Sequence, residues 1–187
     1  MIELLLVDDE TYVTESLFRT IPWEDIGVMA VHQASSAAQA LHLLEQQAID
    51  IVITDISMPG MTGLELIEVV GDKYPHIRSI LLTGYSDFNY AKKAIQLQAF
   101  DYILKPVNDE EFIKSVSGAI ESLKDEWLAH DKYNQLLYNR KADYSVLHAN
   151  LMHDLLLGRV MPERTLSAKL AEYEIRFGLD TSAAMLL

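Results

Sequence analysis

Residues 50–66 read DIVITDISMPGMTGLEL. The run 51–54 is too short for a helix and lacks the alternation of a half-exposed strand, so it predicts a strand buried on both faces. Asp55 follows it, Pro59 to Gly63 supplies turn residues, and Leu64, Leu66, Ile67 and Val70 then recur at helical spacing. A doubly buried strand that leads through a turn into an amphipathic helix is the repeating unit of a parallel sheet covered by helices.

The unit recurs in both directions along the chain. Apolar runs at 2–7, 28–32, 80–83 and 102–104 predict four more buried strands. Helical patterns separate and follow them: Val13, Leu17 and Phe18; Ala37, Leu41 and Leu44; Tyr90, Ala94 and Leu97; Phe112, Val116 and Ile120. Five βα units up to about residue 122 predict an α/β fold, a doubly wound parallel sheet with helices on both faces. Ser35 or Ser36 is placed to cap the second helix, and Asn108 or Asp109 the fifth.

From residue 109 to 157 there is no proline and a single glycine, Gly118, so the fifth helix is expected to run on as a long extension. Ile120, Leu123 and Trp127 keep a 4,3 apolar spacing, but His130 and Asn134 interrupt it before Leu137. A solvated linker helix and a dimerising helix both fit that pattern. Gly158 reads as a helix stop, Pro162 as a start and Gly178 as a second stop, after which 183–187 turns apolar to the last residue. The organisation expected is one domain over 1–122, an extended helix over 123–158, and over 159–187 the start of a further domain that continues past Leu187.

Half the residues are apolar and 23% are charged, the balance of a soluble globular protein. With 15 Lys and Arg against 28 Asp and Glu, the net charge of −13 would repel a nucleic-acid backbone over most of the surface. Zero cysteines exclude a disulfide framework, a thiolate nucleophile and a cysteine-based zinc site, and fit a reducing cytoplasm. The first apolar run stops at Asp8, far short of a signal peptide or a membrane span.

Chemistry concentrates at one edge of the expected sheet. Asp8, Asp9 and Glu10 follow the first strand and Asp55 the third, and ligands of open α/β sheets sit at the carboxyl ends of strands. At about 4 Å and an effective dielectric near 20, each like-charged pair costs on the order of 4 kcal/mol, so some acids stay protonated or a cation sits among them. An all-oxygen set points to Mg²⁺ rather than Zn²⁺. Helix or turn capping would account for these acids singly. It does not account for Thr83 after the fourth strand and Lys105 after the fifth arriving at the same edge. Carboxylate, cation, ammonium and hydroxyl are what phosphoryl transfer to a carboxylate requires. The six histidines show no metal-ligand spacing, and the eight glycines form no phosphate-cradling loop.

In order, LLLVDDE, DIVITDISMPGMTGLEL, ILLTGYSDFNYAKKAI and AFDYILKPVNDEEF resemble the receiver domains of two-component response regulators, over residues 2 to about 122. The resemblance implies a flavodoxin-like (βα)5 fold with strand order 2-1-3-4-5. It implies that Asp55 accepts a phosphoryl group from a sensor histidine kinase, with Mg²⁺ held by Asp9, Asp55 and the backbone carbonyl of Ser57, and by Asp8 through water. Lys105 would pair with a phosphoryl oxygen, its bond to Pro106 being cis, and Thr83 would bond another. Thr83 moving toward the phosphate would open space for Tyr102 to rotate inward, switching the surface of the fourth helix, fifth strand and fifth helix. Ser57 and Tyr85 would tune the lifetime of the phosphoryl group.

The segment IPWEDIGV at 21–28 and the tail LLLGRVMPERTLSAKLAEYEIRFGL at 155–179 look like regulators in which a helical linker joins the receiver to an AraC-type helix-turn-helix domain. That implies a cytoplasmic transcription regulator, dimeric through the receiver face or the long helix, whose DNA contacts belong to a domain not contained in these residues. The alternatives are a Mg²⁺-dependent phosphohydrolase with an aspartyl nucleophile and a dimerisation module with a vestigial pocket. The phosphohydrolase would carry its nucleophile after the first strand in a DxD arrangement, whereas here Asp8 and Asp9 are adjacent and the lone acid follows the third strand.

Overall fold

The computed structural model describes residues 2–84 and 88–156. Five strands and five helices alternate: β1 (Ile2–Val7), α1 (Thr11–Thr20), β2 (Val28–Ala34), α2 (Ala37–Gln46), β3 (Ile51–Asp55), α3 (Gly63–Lys73), β4 (Arg78–Thr83), α4 (Phe88–Gln96), β5 (Asp101–Leu104) and α5 (Asp109–Leu156). All strand pairs are parallel and the order is β2-β1-β3-β4-β5, the doubly wound flavodoxin-like arrangement. The order reverses direction beside β1, so the carboxyl ends of β1 and β3 flank the crevice where such sheets bind ligands.

Alternation along each strand divides the core. Leu4 and Leu6 of β1, Ile51 and Ile53 of β3, and Ile80 and Leu82 of β4 pack with Leu17 of α1 and with Phe112, Val116, Ile120 and Leu123 of α5. Leu5, Val7 and Val52 face the other way, against Ala37, Ala40 and Leu44 of α2 and Leu66 and Val70 of α3. A third cluster joins Ile56, Leu64, Ile67, Leu81 and Ala94 under α4, with Tyr102 packed at its margin. Each fully buried Leu, Ile or Phe contributes about 1.5–3 kcal/mol.

Three expectations need correction. The strands at the two sheet edges are not buried on both faces: β2 is half-buried along most of its length, and Ile103 is the one fully buried residue of β5. Each lacks a neighbour on one side. β2 also continues to Ala34, because it stays paired with β1 as far as Val7. Phe18 is 45% exposed, since α1 turns Leu17 inward and Trp23, from the loop after it, fills the neighbouring core position.

Local caps place the helices. Ser36 caps α2 by accepting from the Gln39 N–H, and Asn108 Oδ1 accepts from the Glu111 N–H in the first turn of α5. At α3 a capping box is present: Thr62 Oγ1 accepts from the Glu65 N–H while Glu65 accepts from the Thr62 N–H.

The chain divides into two compact units, Met1–Leu128 and Ala129–Leu187. Within the first, Leu123 is the last buried residue of α5. Every side chain over 124–137 is exposed, including Trp127, Leu128, Tyr133, Leu136 and Leu137. Gly158, the segment 159–187 and Tyr85 lie outside the described residues.

Candidate functional site

β1 and β3 lie side by side, with Val7 opposite Thr54 in register, so the residues that follow, Asp8 and Asp55, emerge together at the carboxyl edge. Both are buried. Lys105, one residue past the end of β5, reaches back across β4. Its Nζ donates to Asp8 Oδ2 at 2.7 Å and lies 2.6 Å from Asp55 Oδ1. Two carboxylates thus share one ammonium, with side chains 2%, 8% and 17% exposed for Asp8, Asp55 and Lys105.

The loops hold these groups in place. The Ser57 N–H donates to Asp55 Oδ2 at 2.6 Å, and the Glu10 N–H donates to Asp8 Oδ1 at 3.0 Å. The Lys105 N–H donates to the Thr83 carbonyl at 2.7 Å, tying the end of β5 to the end of β4, and the Lys105–Pro106 peptide bond is cis. Thr83 is buried at the end of β4. Tyr102 is half-buried, and its N–H donates to Asp101 Oδ1.

Burial pushes the Asp8 carboxyl above its ordinary value, more than the Lys105 hydrogen bond and the Glu10 N–H pull it down. Burial alone would lower the Lys105 ammonium. Hydrogen bonds to Asp55 and Asp8, reinforced by their charges, outweigh it and hold the group above its ordinary value. Lys105 therefore stays protonated through the neutral range.

The structure brings together Asp8, Asp55 and Lys105, with Thr83 bonded through its backbone. Asp9 is not in that cluster. It is exposed and makes no hydrogen bond or ion pair to another described residue. Asp8 and Asp55 thus surround the Lys105 ammonium, while the turn after β1 leaves the next residue, Asp9, in solvent. Among the described residues no group of three or more acidic or histidine side chains is spaced to hold a metal ion. The backbone donors from Glu10 and Ser57 escaped the sequence reading. Their signal was the acid two residues earlier, the pattern in which an Asp side chain accepts from the backbone ahead of it.

Comparison with known proteins agrees with this fold. The model of the response regulator receiver domain matches residues 4–117. The chain is 37% identical over 124 residues to the uncharacterized transcriptional regulatory protein YesN of Bacillus subtilis, covering 66% of this chain and 34% of YesN. It is 30% identical over 154 residues to the transcriptional regulatory protein HptR of Staphylococcus aureus, covering 78% of this chain and 60% of HptR. Among solved structures, a two-component transcriptional regulator AraC from Clostridium phytofermentans superposes with a TM-score of 0.63 at 29% identity, over 67% of this chain and 97% of that one. The chain thus spans about a third to three fifths of the length of these curated relatives. From the matched model together with the parallel sheet and the acid–lysine cluster at its edge, the chain belongs to the response regulator receiver domain family.

Proposed function

We propose that the domain over 1–122 is the phosphoacceptor of a two-component system, with Asp55 receiving the phosphoryl group from a phosphohistidine on a sensor histidine kinase. The observation that carries this reading is the Lys105 ammonium, 2.6 Å from Asp55 and 2.7 Å from Asp8 in a buried setting. An Asp55 oxygen attacks phosphorus as the bond to the histidine nitrogen breaks, and the imidazole departs. Lys105 then pairs with a phosphoryl oxygen and Thr83 donates to another.

Charge balance favours a divalent cation beside these residues. Asp8 contributes one negative charge, a phosphorylated Asp55 about two, and Lys105 one positive charge, which leaves about two unbalanced. Asp8, Asp55 and the Ser57 carbonyl, with Asp9 exposed on the adjoining turn, would offer hard oxygen donors few enough for Mg²⁺ to keep several waters. Bound there, Mg²⁺ would neutralise the oxygens of the transferring group.

We further propose that Thr83 and Tyr102 carry the change to the surface of α4, β5 and α5. The output would be a transcription regulator domain of AraC type in a longer cytoplasmic protein that dimerises, with 123–158 as a linker helix and 159–187 opening the next region. The relatives' descriptions as transcriptional regulators support this output. No described helix is long and apolar enough to cross a membrane.

Incubation with Mg²⁺ and acetyl phosphate, followed by intact mass measurement, tests the phosphoacceptor. A stoichiometric gain of one phosphoryl group, absent in Asp55→Asn, is the result expected. No adduct on a folded wild-type chain overturns it, and catalytic turnover of a phosphomonoester would favour a hydrolase.

A further inference from the structure

β4 has chemistry at both ends. Thr83 closes it at the pocket, and Arg78 opens it at the opposite edge of the sheet. The Arg78 guanidinium makes three contacts: Nε donates to Ser122 Oγ at 3.2 Å, one terminal nitrogen pairs with the Glu126 carboxylate, and the other donates to the His76 carbonyl at 3.4 Å. Its backbone is fixed as well, the N–H donating to the Asp50 carbonyl at 3.0 Å and the residue standing opposite Ile51 in the β3 ladder.

Ser122 and Glu126 flank Leu123, the last residue of α5 up to position 137 that is buried. Beyond that turn every residue over 124–137 is exposed, and a helix with little tertiary support is marginal in water. A planar, forked cation reaches a hydroxyl and a carboxylate one turn apart on the same helix. An ammonium, a point charge, satisfies one of them at a time.

We propose that Arg78 is a positioning residue that ties the last core-supported turn of α5 to the sheet, so that the strand ending in Thr83 at the pocket grips α5 at its other end. β4 has hydrogen-bonded neighbours on both sides and spans about 17 Å between these residues, a stiff element suited to carrying a displacement. The coupling to the pocket rests on the phosphoacceptor reading; the tie between Arg78 and α5 does not.

Hydrogen exchange on the whole chain tests both parts, with and without Mg²⁺ and beryllofluoride, a stand-in for the phosphoryl group on Asp55. In the unloaded protein, Arg78→Lys is expected to lower amide protection over 122–128 about fivefold to tenfold, leaving 112–120 unchanged, with Glu126→Gln giving a smaller loss. In the wild type, beryllofluoride should change exchange at 122–128 and around Thr83. In Arg78→Lys the change around Thr83 should remain and that at 122–128 should vanish. Unaltered protection over 122–128 in unloaded Arg78→Lys overturns the tie. Bound beryllofluoride, followed by fluorine NMR, that leaves 122–128 unmoved in the wild type, or moves it equally in the variant, overturns the coupling. Failure of beryllofluoride to bind wild type counts against the phosphoacceptor reading and the coupling built on it, while the unloaded comparison still decides the tie.

Discussion

Gly63 sits against the backbone of Asp55: a Cβ built on it would stand 2.0 Å from the Asp55 carbonyl oxygen and 2.9 Å from its carbonyl carbon. The Gly63 N–H also donates to the Ile56 carbonyl at 3.0 Å, so the start of α3 and the end of β3 are held together at this point. Neither backbone has a soft side chain to move aside. Gly63→Ala is expected to destabilise the protein by about 3 kcal/mol and to cut the yield of the Asp55 adduct, because Asp55 itself must shift. Denaturant unfolding and intact mass after acetyl phosphate read the two effects. An unchanged midpoint with full adduct would show that the contact is not rigid.

The capping box of α3 gives stability a definite pH dependence. The Glu65 carboxyl lies below its ordinary value of 4.5, first because of the Thr62 N–H and second because of the Thr62 hydroxyl. A depressed carboxyl contributes stability fully present above 4.5 and lost as pH falls through the folded-state value. Glu65→Gln should therefore be less stable than wild type at pH 7, with the gap closing as pH drops below 4.5. Thermal unfolding of both proteins between pH 3 and 7 checks the trend. A gap that widens in acid contradicts it.

Ser115 Oγ is buried in α5 with no hydrogen-bond partner among the described residues. An unsatisfied buried hydroxyl costs about 1–3 kcal/mol, and Ala is also the better helix former. Ser115→Ala is expected to raise stability by about 1 kcal/mol, measured by denaturant unfolding. A loss of stability would point to a bonded hydroxyl.

Gly118 lies inside α5, where glycine costs about 0.5–1 kcal/mol relative to alanine. A Cβ there would meet the Phe100 ring at 3.5 and 3.6 Å, ordinary contact distances. Gly118→Ala should stabilise the protein by about that amount without disturbing the Asp55 adduct, again by unfolding midpoint and intact mass.

What could be read in advance follows from how far apart the interacting residues lie. β3 and the placement of Asp55 at its end needed only local pattern, as did the prolonged α5. The Thr62–Glu65 box is equally local, a threonine three residues before a glutamate, but it lies inside the turn from Pro59 to Gly63, whose proline and glycines dominate the pattern. Asp8, Asp55 and Lys105 each end or directly follow a strand of one parallel sheet, and that common position is what brings them together. The exposure of Asp9 depends on which of two adjacent acids the turn after β1 buries, and adjacency in sequence does not encode that. The grip of Arg78 on Ser122 and Glu126 joins residues 44 and 48 positions apart, and nothing periodic in the chain announces it.

The sheet order gives the pocket an asymmetry of its own. Asp8, Asp55 and Thr83 stand on or next to β1, β3 and β4, strands flanked on both sides, whereas Lys105 follows the four-residue edge strand β5. Interior strands open only with global unfolding, while an edge strand can loosen at lower cost. Under the proposed phosphoacceptor reading, the group of the pocket that would change partners, Lys105, is the one that follows the strand with a neighbour on one side only.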